Sequence, residues 1–377
     1  MKIIIAPDSF KECLTAAQVA QHIEDGMRQI FPNAEYVQVP VADGGEGTLQ
    51  SLVDATNGHC VDTSVTGPRG ARVKARFGLL GSGETAIIEM AQASGIELIT
   101  PEQRNPLIAT TFGTGEQILA ALDLGVRHFI VGIGGSATND GGAGMMQALG
   151  VKLLDAQGHE LPCGGAALAQ LARIDLSDMD ARLASCTFVA ACDVTNPLTG
   201  ANGASAVFGP QKGATPEMVQ ELDSALTNFA AVIARDLNIN VDQVPGAGAA
   251  GGMGAALLAF LNAELKPGID MVMEAVSLAE KIKGASLVIT GEGRIDAQTA
   301  QGKTPVGVAR IAKAENIPVV ALAGSIGDGA EAVYAQGIDA LFPVVHGAVT
   351  LDVALAKGAE NLTRAARNMA AMLQIRL

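Results

Sequence analysis

Short apolar strands alternate with amphipathic helices at both ends of the chain, and this pattern constrains the fold more than any other feature. The predicted strands lie at residues 2–6, 36–41, 287–290, 318–322 and 340–344. A helix at 15–30 opens with Thr15 and Gln18, the spacing of a capping box. Strands and helices in this alternation are typical of a parallel sheet with helices on both faces. Both chain ends therefore predict a doubly wound, Rossmann-like or flavodoxin-like sheet.

The middle of the chain has a different pattern. Residues 61–90 alternate like β-hairpins. The helices that follow are predicted at about 115–124, 141–149, 215–236 and 252–263. We therefore predict an α/β protein of two domains. Residues 1–62 and 285–377 form a discontinuous Rossmann-like or flavodoxin-like parallel-sheet domain, and residues 63–284 form an inserted mixed α/β domain.

Length and charge narrow the class of protein. The chain has 377 residues, more than twice the ~150 of an average domain. It carries 25 Lys and Arg against 39 Asp and Glu, a net charge of −14, which argues against nucleic acid or an anionic membrane as partner. No uncharged apolar run approaches the ~18 residues that span a bilayer. We expect a cytoplasmic protein, and a homo-oligomer stays open.

The five cysteines do not form a recognisable framework. They are widely spaced, with no C-x-x-C pair. This pattern predicts neither a disulfide scaffold nor a zinc site.

Polar and glycine-rich motifs follow many of the predicted strands. They lie at residues 6–11, 42–48, 132–144, 191–198, 208–213 and 290–304. In open parallel sheets the ligand crevice lies outside the carboxyl ends of the strands. These motifs are therefore the candidate site, although Asp, Ser and Gly also serve simple turns.

The densest motif, residues 132–144, runs from a strand through glycines into a helix. Glycine lets backbone N–H groups approach an anion, and a helix N-terminus adds partial positive charge. A bound phosphate and a tight turn both fit this pattern. So does a dinucleotide fingerprint, Gly132-x-Gly134-x-x-Ala137 followed by Asp155, which keeps an NAD-dependent oxidoreductase open.

Together the motifs are specific. They read APDSFK (6–11), ADGGEGT (42–48), GIGGSATNDGG (132–142), ACDVTNPL (191–198), FGPQKGA (208–214), GAGAAGGMG (246–254) and GEGRIDAQTAQGKTP (291–305). This set resembles the bacterial glycerate kinases of the first type, over essentially the whole chain. The resemblance implies phosphorylation of D-glycerate by ATP with Mg²⁺, giving 2-phosphoglycerate, in glyoxylate and glucarate breakdown. It also implies two domains, one of them discontinuous.

Phosphoryl transfer needs donors around the phosphates, carboxylates for the metal and a group that orients the attacking hydroxyl. For in-line transfer in the interdomain cleft we expect Asp193 to orient the hydroxyl, with Asp8 as the close second, because no histidine lies in a strand-end motif. Asp193 is preferred because the small residues Ala190, Ala191 and Cys192 before it permit a buried approach. Substrate binding is assigned to Ser9, Lys11, Asp43, Glu46 and Arg294. Nucleotide and phosphate binding is assigned to Gly134, Gly135, Ser136, Asn139, Lys212 and Lys303. The metal is assigned to Asp296 and Asp140. The remaining alternative is a protein that binds an anion without catalysis.

Overall fold

The computed structural model describes residues 1–42, 44, 47–81 and 83–375. Asp43 and Glu46, two of the predicted substrate residues, lie outside this part of the chain. The strands, in chain order, are β1 (Lys2–Ile5), β2 (Glu35–Gln38), β3 (His59–Thr66), β4 (Arg72–Leu80), β5 (Thr85–Glu89), β6 (His128–Gly132), β7 (Lys152–Leu154), β8 (Arg173–Asp175), β9 (Thr187–Ala191), β10 (Glu264–Lys266), β11 (Leu287–Ile295), β12 (Val319–Ile326) and β13 (Ala340–Pro343).

The helices connect these strands. They are α1 (Ala16–Arg28), α2 (Thr48–Ala55), α3 (Ala91–Ser94), α4 (Phe112–Asp123), α5 (Ala143–Ala148), α6 (Ala204–Phe208), α7 (Pro216–Leu237), α8 (Ala249–Leu261), α9 (Gly268–Ala275), α10 (Leu278–Lys281), α11 (Thr304–Ala314), α12 (Leu351–Ala356) and α13 (Gly358–Leu373). Short 3-10 helices lie at Ile96–Leu98, Pro101–Gln103, Gly165–Gln170, Ala181–Ser185, Pro210–Lys212, Thr299–Gln301 and Ala330–Gln336. The first turn of α8 is irregular, because Ala250, Gly251 and Gly252 have left-handed backbone.

The chain divides into two compact units. The first contains residues 1–57 and 269–377, and the second contains residues 58–268. The predicted limits, 62/63 and 284/285, lie five and 16 residues further along the chain. The difference at the first limit follows from β3, which pairs with β4 from residue 59 onward.

The first unit has a fully parallel sheet in the order β13-β12-β11-β1-β2. Counting only its own strands, this is the flavodoxin-like order 2-1-3-4-5, so the predicted fold class is confirmed. The strands are short apolar runs, such as Ile3, Ile4 and Ile5 in β1, all fully buried. Buried strands of this kind need helices on both faces. The order reverses between β1 and β11, where such sheets place their ligands.

Helix α1 begins as the sequence predicts. Thr15 accepts a hydrogen bond from the Gln18 backbone N–H, and Gln18 accepts one from the Thr15 N–H, which completes the capping box. The buried face of the helix includes Val19, Ile23 and Met27. This face belongs to the same apolar core as Leu362 and Met369 of α13, so the two ends of the chain share one core.

The second unit has a mixed sheet in the order β10-β9-β6-β5-β4-β3. Strands β5, β6, β9 and β10 are parallel, whereas β3, β4 and β5 form the antiparallel meander predicted for residues 61–90. Phe129 of β6 and Phe188 of β9 stack with ring centroids 4.7 Å apart in its core. Strands β7 and β8 form a separate antiparallel pair. Across the described residues, no helix has the length and apolar character to cross a membrane.

Candidate functional site

Asp8 joins the ends of β1 and β11 to the start of α11. Its backbone N–H donates to the Gly291 carbonyl at 2.8 Å. Its Oδ2 accepts from the Thr304 hydroxyl at 2.7 Å, and its Oδ1 accepts from the Ser9 backbone N–H at 2.6 Å. The carboxylate is therefore held at the point where the strand order of the first unit reverses.

The end of β11 holds Arg294 and Asp296 as an ion pair, with Nε to Oδ2 at 3.0 Å. The other Asp296 oxygen accepts from the Gln298 backbone N–H at 2.9 Å. This bond lowers the pKa of the Asp296 carboxyl, and the charges of Arg294 and Lys303 lower it further. The predicted substrate residue Arg294 and the predicted metal ligand Asp296 are thus partners of each other.

Buried polar groups that the sequence analysis did not select support this edge. Glu292 of β11 is buried and accepts a hydrogen bond from the Thr299 hydroxyl. Thr304, which binds Asp8, is buried too. All three stand within the motif at 291–305, so their position in a strand-end motif was the available signal.

Lys11 and Lys303 lie on the loops of the same edge. Lys11 is exposed in the turn between Phe10 and Leu14, which is closed by a 2.8 Å hydrogen bond from the Leu14 N–H to the Phe10 carbonyl. Lys303 is half-buried directly before α11. Of the predicted cations in the first unit, Lys11 thus follows β1 and Lys303 precedes α11.

In the second unit the loop after β6 is held against residues 94–96. The Ile96 N–H donates to the Gly135 carbonyl, and the Ala137 N–H donates to the Ser94 carbonyl, both at 2.9 Å. Gly134 and Gly135 are exposed, whereas Ser136 is buried. The loop therefore presents backbone at its glycines, as a phosphate site requires.

Lys212 lies beneath this loop. Its ammonium donates to Ser136 Oγ at 2.8 Å and to the Thr138 carbonyl at 2.7 Å. The side chain is only 2% exposed. Burial lowers the pKa of Lys212 to about 7, and the charge of Asp140 opposes that shift. The structure thus brings together Ser136 and Lys212, which are 76 residues apart in sequence.

Asp140 has a different environment from the one its metal assignment requires. Its Oδ2 accepts from the Thr111 N–H and hydroxyl, both at 2.8 Å, and from the Gly144 N–H at 3.2 Å. Its Oδ1 accepts from the Gly142 N–H at 3.2 Å. Burial raises the pKa of this carboxyl, and the hydrogen bonds from Thr111 and the glycines oppose the rise.

These four bonds correct the expected role of the helix that follows the loop. The sequence predicts that the N–H groups at the start of α5 bind a phosphate. The structure shows the Gly142 and Gly144 donors bound to Asp140 instead. Asp140 serves as an internal cap of α5, and its enclosed oxygens do not fit a hydrated Mg²⁺ ion.

Asn139 and Thr138 leave buried polar atoms beside Lys212. Asn139 Nδ2 donates to Ser205 Oγ at 2.9 Å. Asn139 Oδ1 and Thr138 Oγ1 are buried without a hydrogen-bond partner among the described residues. Buried polar atoms without a hydrogen-bond partner are rare in native proteins.

Asp193 follows β9, but it is exposed. Its Oδ1 accepts from the Gly268 N–H at 2.9 Å. From the sequence, Asp193 is the first choice for the orienting group because its small neighbours suggest a buried approach. That premise is wrong, since the side chain lies at the surface and braces a loop.

The segment from Gly132 to Asp155 does not form a dinucleotide turn. Ten residues separate the end of β6 from the start of α5, whereas the fingerprint needs a tight turn from strand to helix. Asp155 follows β7, outside the six-stranded sheet, and accepts from the Gln157 and His159 N–H groups. The geometry of this fully described segment gives the NAD alternative no support.

A divalent metal is the remaining group to place. Within the described residues, no group of three or more His, Cys, Asp or Glu could hold one. Mg²⁺ in nucleotide sites is bound by one or two carboxylates and by the phosphates themselves. Asp296, with its side chain 20% exposed, fits that lesser requirement, whereas Asp140 does not.

Comparisons with known proteins agree with this architecture. Residues 3–374 match the model of the glycerate kinase family. The chain is 57% identical to a glycerate kinase of Bacillus subtilis and 56% identical to glycerate 2-kinase of Escherichia coli, covering all of this chain and 98% of each relative. A crystal structure assigned as glycerate kinase 2 of Salmonella typhimurium LT2 superimposes with a TM-score of 0.91 at 57% identity, over 99% of this chain and 98% of that one. From residue 3 to residue 374, therefore, this chain is a member of the glycerate kinase family, a family of phosphotransferases.

Proposed function

We propose that this protein transfers the γ-phosphoryl group of ATP to the 2-hydroxyl of D-glycerate, giving 2-phosphoglycerate. The observation that carries the proposal is the full-length match to glycerate kinases, one of which, at 56% identity, is named glycerate 2-kinase. Both units also present polar residues at the carboxyl ends of parallel strands, where such sheets bind ligands. We place the reaction in glyoxylate and glucarate breakdown.

The loop after β6 is proposed to bind the nucleotide phosphates. Gly134 and Gly135 expose backbone there, and the Ser136 hydroxyl lies beside them. Asn139 lies in the same loop with one oxygen unpartnered among the described residues. Lys303, before α11, is kept as a further phosphate contact. Electrostatic stabilisation by fixed donors is the main contribution that a protein makes to phosphoryl transfer.

Glycerate is proposed to bind at the strand ends of the first unit. Its carboxylate needs a cation. Lys11 follows β1, and Arg294 lies in β11. Ser9, on the same loop as Lys11, is kept as a substrate contact, and its hydroxyl donates to Asp8 Oδ1 at 3.2 Å. Asp43 and Glu46 are kept as partners of the glycerate hydroxyls.

Asp8 is the stronger candidate for orienting the attacking hydroxyl, with Asp193 as the alternative. Asp8 is held by Thr304 and Ser9 at the point where the strand order reverses. Positioning of the hydroxyl against the γ-phosphate contributes more than covalent chemistry in such reactions. Mg²⁺, held by the phosphates and Asp296, would neutralise charge on the transferring group.

A coupled assay of ADP release tests the proposal. We expect ADP formation that requires D-glycerate, ATP and Mg²⁺ together and that stops on adding EDTA. ADP formed at the same rate without glycerate would contradict it. NADH formation from glycerate and NAD⁺ would instead support the oxidoreductase.

Substitution of Lys11 tests the placement of glycerate. Lys11→Met should raise the glycerate KM by ~10-fold or more, with little change in the ATP KM, because a charged hydrogen bond contributes about 1.5–3 kcal/mol. Lys74→Met is a matched control, since Lys74 is an exposed lysine in β4 of the second unit. Equal effects of Lys11→Met on both KM values would overturn the assignment.

A further inference from the structure

The buried ammonium of Lys212 cannot contact a ligand on the exposed side of the 134–136 loop. The side chain is 2% exposed, and two of its three N–H donors bind Ser136 Oγ and the Thr138 carbonyl. A lysine that binds phosphate directly keeps its ammonium at the surface of the site. Lys212 therefore has another role.

The local backbone holds this lysine firmly in place. Lys212 ends the 3-10 helix Pro210–Lys212, where its N–H donates to the Gly209 carbonyl at 2.9 Å. The Ala214 N–H donates to the same carbonyl at 3.1 Å. Burying a charged group costs several kcal/mol unless the protein compensates for it. An apolar side chain of similar length would avoid that cost. The presence of a lysine at position 212 therefore points to a function.

When Lys212 is protonated, its bond fixes the direction of the Ser136 hydroxyl. A serine hydroxyl has one proton and two acceptor lone pairs, and an ammonium donates but does not accept. While the ammonium occupies a lone pair, the Ser136 proton points away from Lys212. No hydrogen bond between Ser136 and another described residue uses that proton. It is left for a ligand at the loop.

The charge of Lys212 also polarises the Ser136 hydroxyl through this hydrogen bond. A hydroxyl that accepts from a cation becomes a stronger donor, since hydrogen bonds in a chain polarise one another. In a region of low dielectric the ammonium also attracts an anion a few ångströms away. The same ammonium holds the Thr138 carbonyl and so braces the loop between Ser136 and Asn139.

We propose that Lys212 is a positioning residue that acts through Ser136, directing the Ser136 hydroxyl as a hydrogen-bond donor to a phosphate oxygen of the nucleotide. This inference rests on the proposed function, because it assumes that the loop binds ATP. It predicts that Lys212 and Ser136 act as one unit. Removal of either residue should then abolish the same contact.

A double-mutant cycle tests this coupling. Ser136→Ala and Lys212→Met should each raise the ATP KM about 10- to 100-fold, the range for loss of one charged hydrogen bond. The ATP KM of the double variant should be no higher than that of the more impaired single variant, because both substitutions remove the same interaction. The glycerate KM should change less than about twofold. Lys74→Met serves again as the control and should leave all parameters unchanged.

A merely structural role for Lys212 predicts a different result. It would lower kcat and raise both KM values, and its effect would multiply with that of Ser136→Ala. That outcome overturns the proposal. Lys212→Gln covers the case in which Lys212→Met does not fold, since it keeps an uncharged N–H donor on a side chain one bond shorter. It should raise the ATP KM less than Lys212→Met does.

Ser136→Ala alone can also overturn the inference. An unchanged ATP KM in this variant would show that its hydroxyl does not bind the nucleotide. Failure of the proposed function is recognised separately, because the unsubstituted protein would then release no ADP with glycerate. Turnover by the parent with independent effects of the two substitutions would refute only the coupling.

Discussion

Two adjacent glycines in the loop after β6 differ in what they tolerate. Gly135 has a φ of 73°, so any side chain there strains the backbone whether or not a ligand binds. Apart from its two chain neighbours, no described residue has an atom within 4 Å of a Cβ built at Gly134. A substitution at Gly134 therefore tests ligand contact without disturbing the fold.

We expect Gly134→Val to raise the ATP KM at least tenfold, because the side chain would occupy space next to the exposed backbone. Its midpoint of urea unfolding should match that of the parent. Steady-state kinetics and urea titration measure the two effects. An unaltered ATP KM in this folded variant would remove the loop from the nucleotide site.

The two carboxylates assigned to the attacking hydroxyl can be ranked by substitution. Asp8→Asn should lower kcat about 100-fold or more, in the range that general-base groups contribute. Asp193→Asn should keep more than a tenth of the parent rate, since Asp193 is exposed and braces Gly268. Asp25→Asn, at an exposed position of α1, is the control. The reverse ranking would restore Asp193 as the orienting group.

The identity of the polar residues could be predicted from sequence, but their burial could not. Both Asp140 and Lys212 stand in strand-end motifs, and the sequence predicts Asp140 as a metal ligand and Lys212 as a phosphate contact. Whether such residues face a ligand or the interior depends on the Thr111 and Ser136 contacts, which join residues 29 and 76 positions apart. No local pattern carries that information.

Helices α1 and α13 approach each other at Gly26. A Cβ there would lie 2.4 Å from the Thr363 carbonyl oxygen and 2.8 Å from the Ala366 Cβ. Alanine normally stabilises a helix interior by about 0.8–1 kcal/mol relative to glycine. At this position the clash should reverse that sign.

We expect Gly26→Ala to lower the free energy of unfolding by more than about 1 kcal/mol, the lower end of the cost of overpacking. Urea unfolding followed by circular dichroism measures it. Asp25→Ala, at the exposed neighbouring position, should change stability by less than about 0.5 kcal/mol. A more stable Gly26→Ala variant would show that the two helices do not pack this closely.

Elements with a strong local signal could be predicted, and those defined by tertiary pairing could not. The capping box at Thr15 placed the start of α1 correctly. Strand β11 was expected to end at residue 290, but it continues to Ile295 because β12 pairs with it as far as Ile326. Strands β7 and β8 have three residues each, too few for a periodic pattern.

The discontinuous arrangement of the chain could be predicted because its two ends share one strand and helix pattern. The unit to which α9 belongs could not be predicted. Residues 269–284 were assigned to the inserted domain, but Ile269 lies against Gly307 of α11 in the first unit, where a Cβ would be 2.4 Å from its Cγ1. Asp270 also pairs with Arg310 of the same helix.

These limits can be tested on fragments of the chain. A fragment of residues 58–268 should unfold cooperatively, because it contains all of β3 and the whole six-stranded sheet. A fragment of residues 63–284 should be less stable, since it loses half of β3 and carries α9 without α11. Urea unfolding of both compares them. Equal stability would favour the limits predicted from sequence, and absence of any cooperative transition would show that the unit does not fold alone.

Phosphorus NMR of the reaction mixture tests most directly whether this chain is a glycerate 2-kinase. The protein is incubated with ATP, Mg²⁺ and D-glycerate, and the product is compared with authentic 2-phosphoglycerate and 3-phosphoglycerate. We predict loss of the ATP γ-phosphorus signal together with growth of the 2-phosphoglycerate signal. Growth of the 3-phosphoglycerate signal would contradict the position of transfer. Formation of inorganic phosphate alone would contradict glycerate as the acceptor.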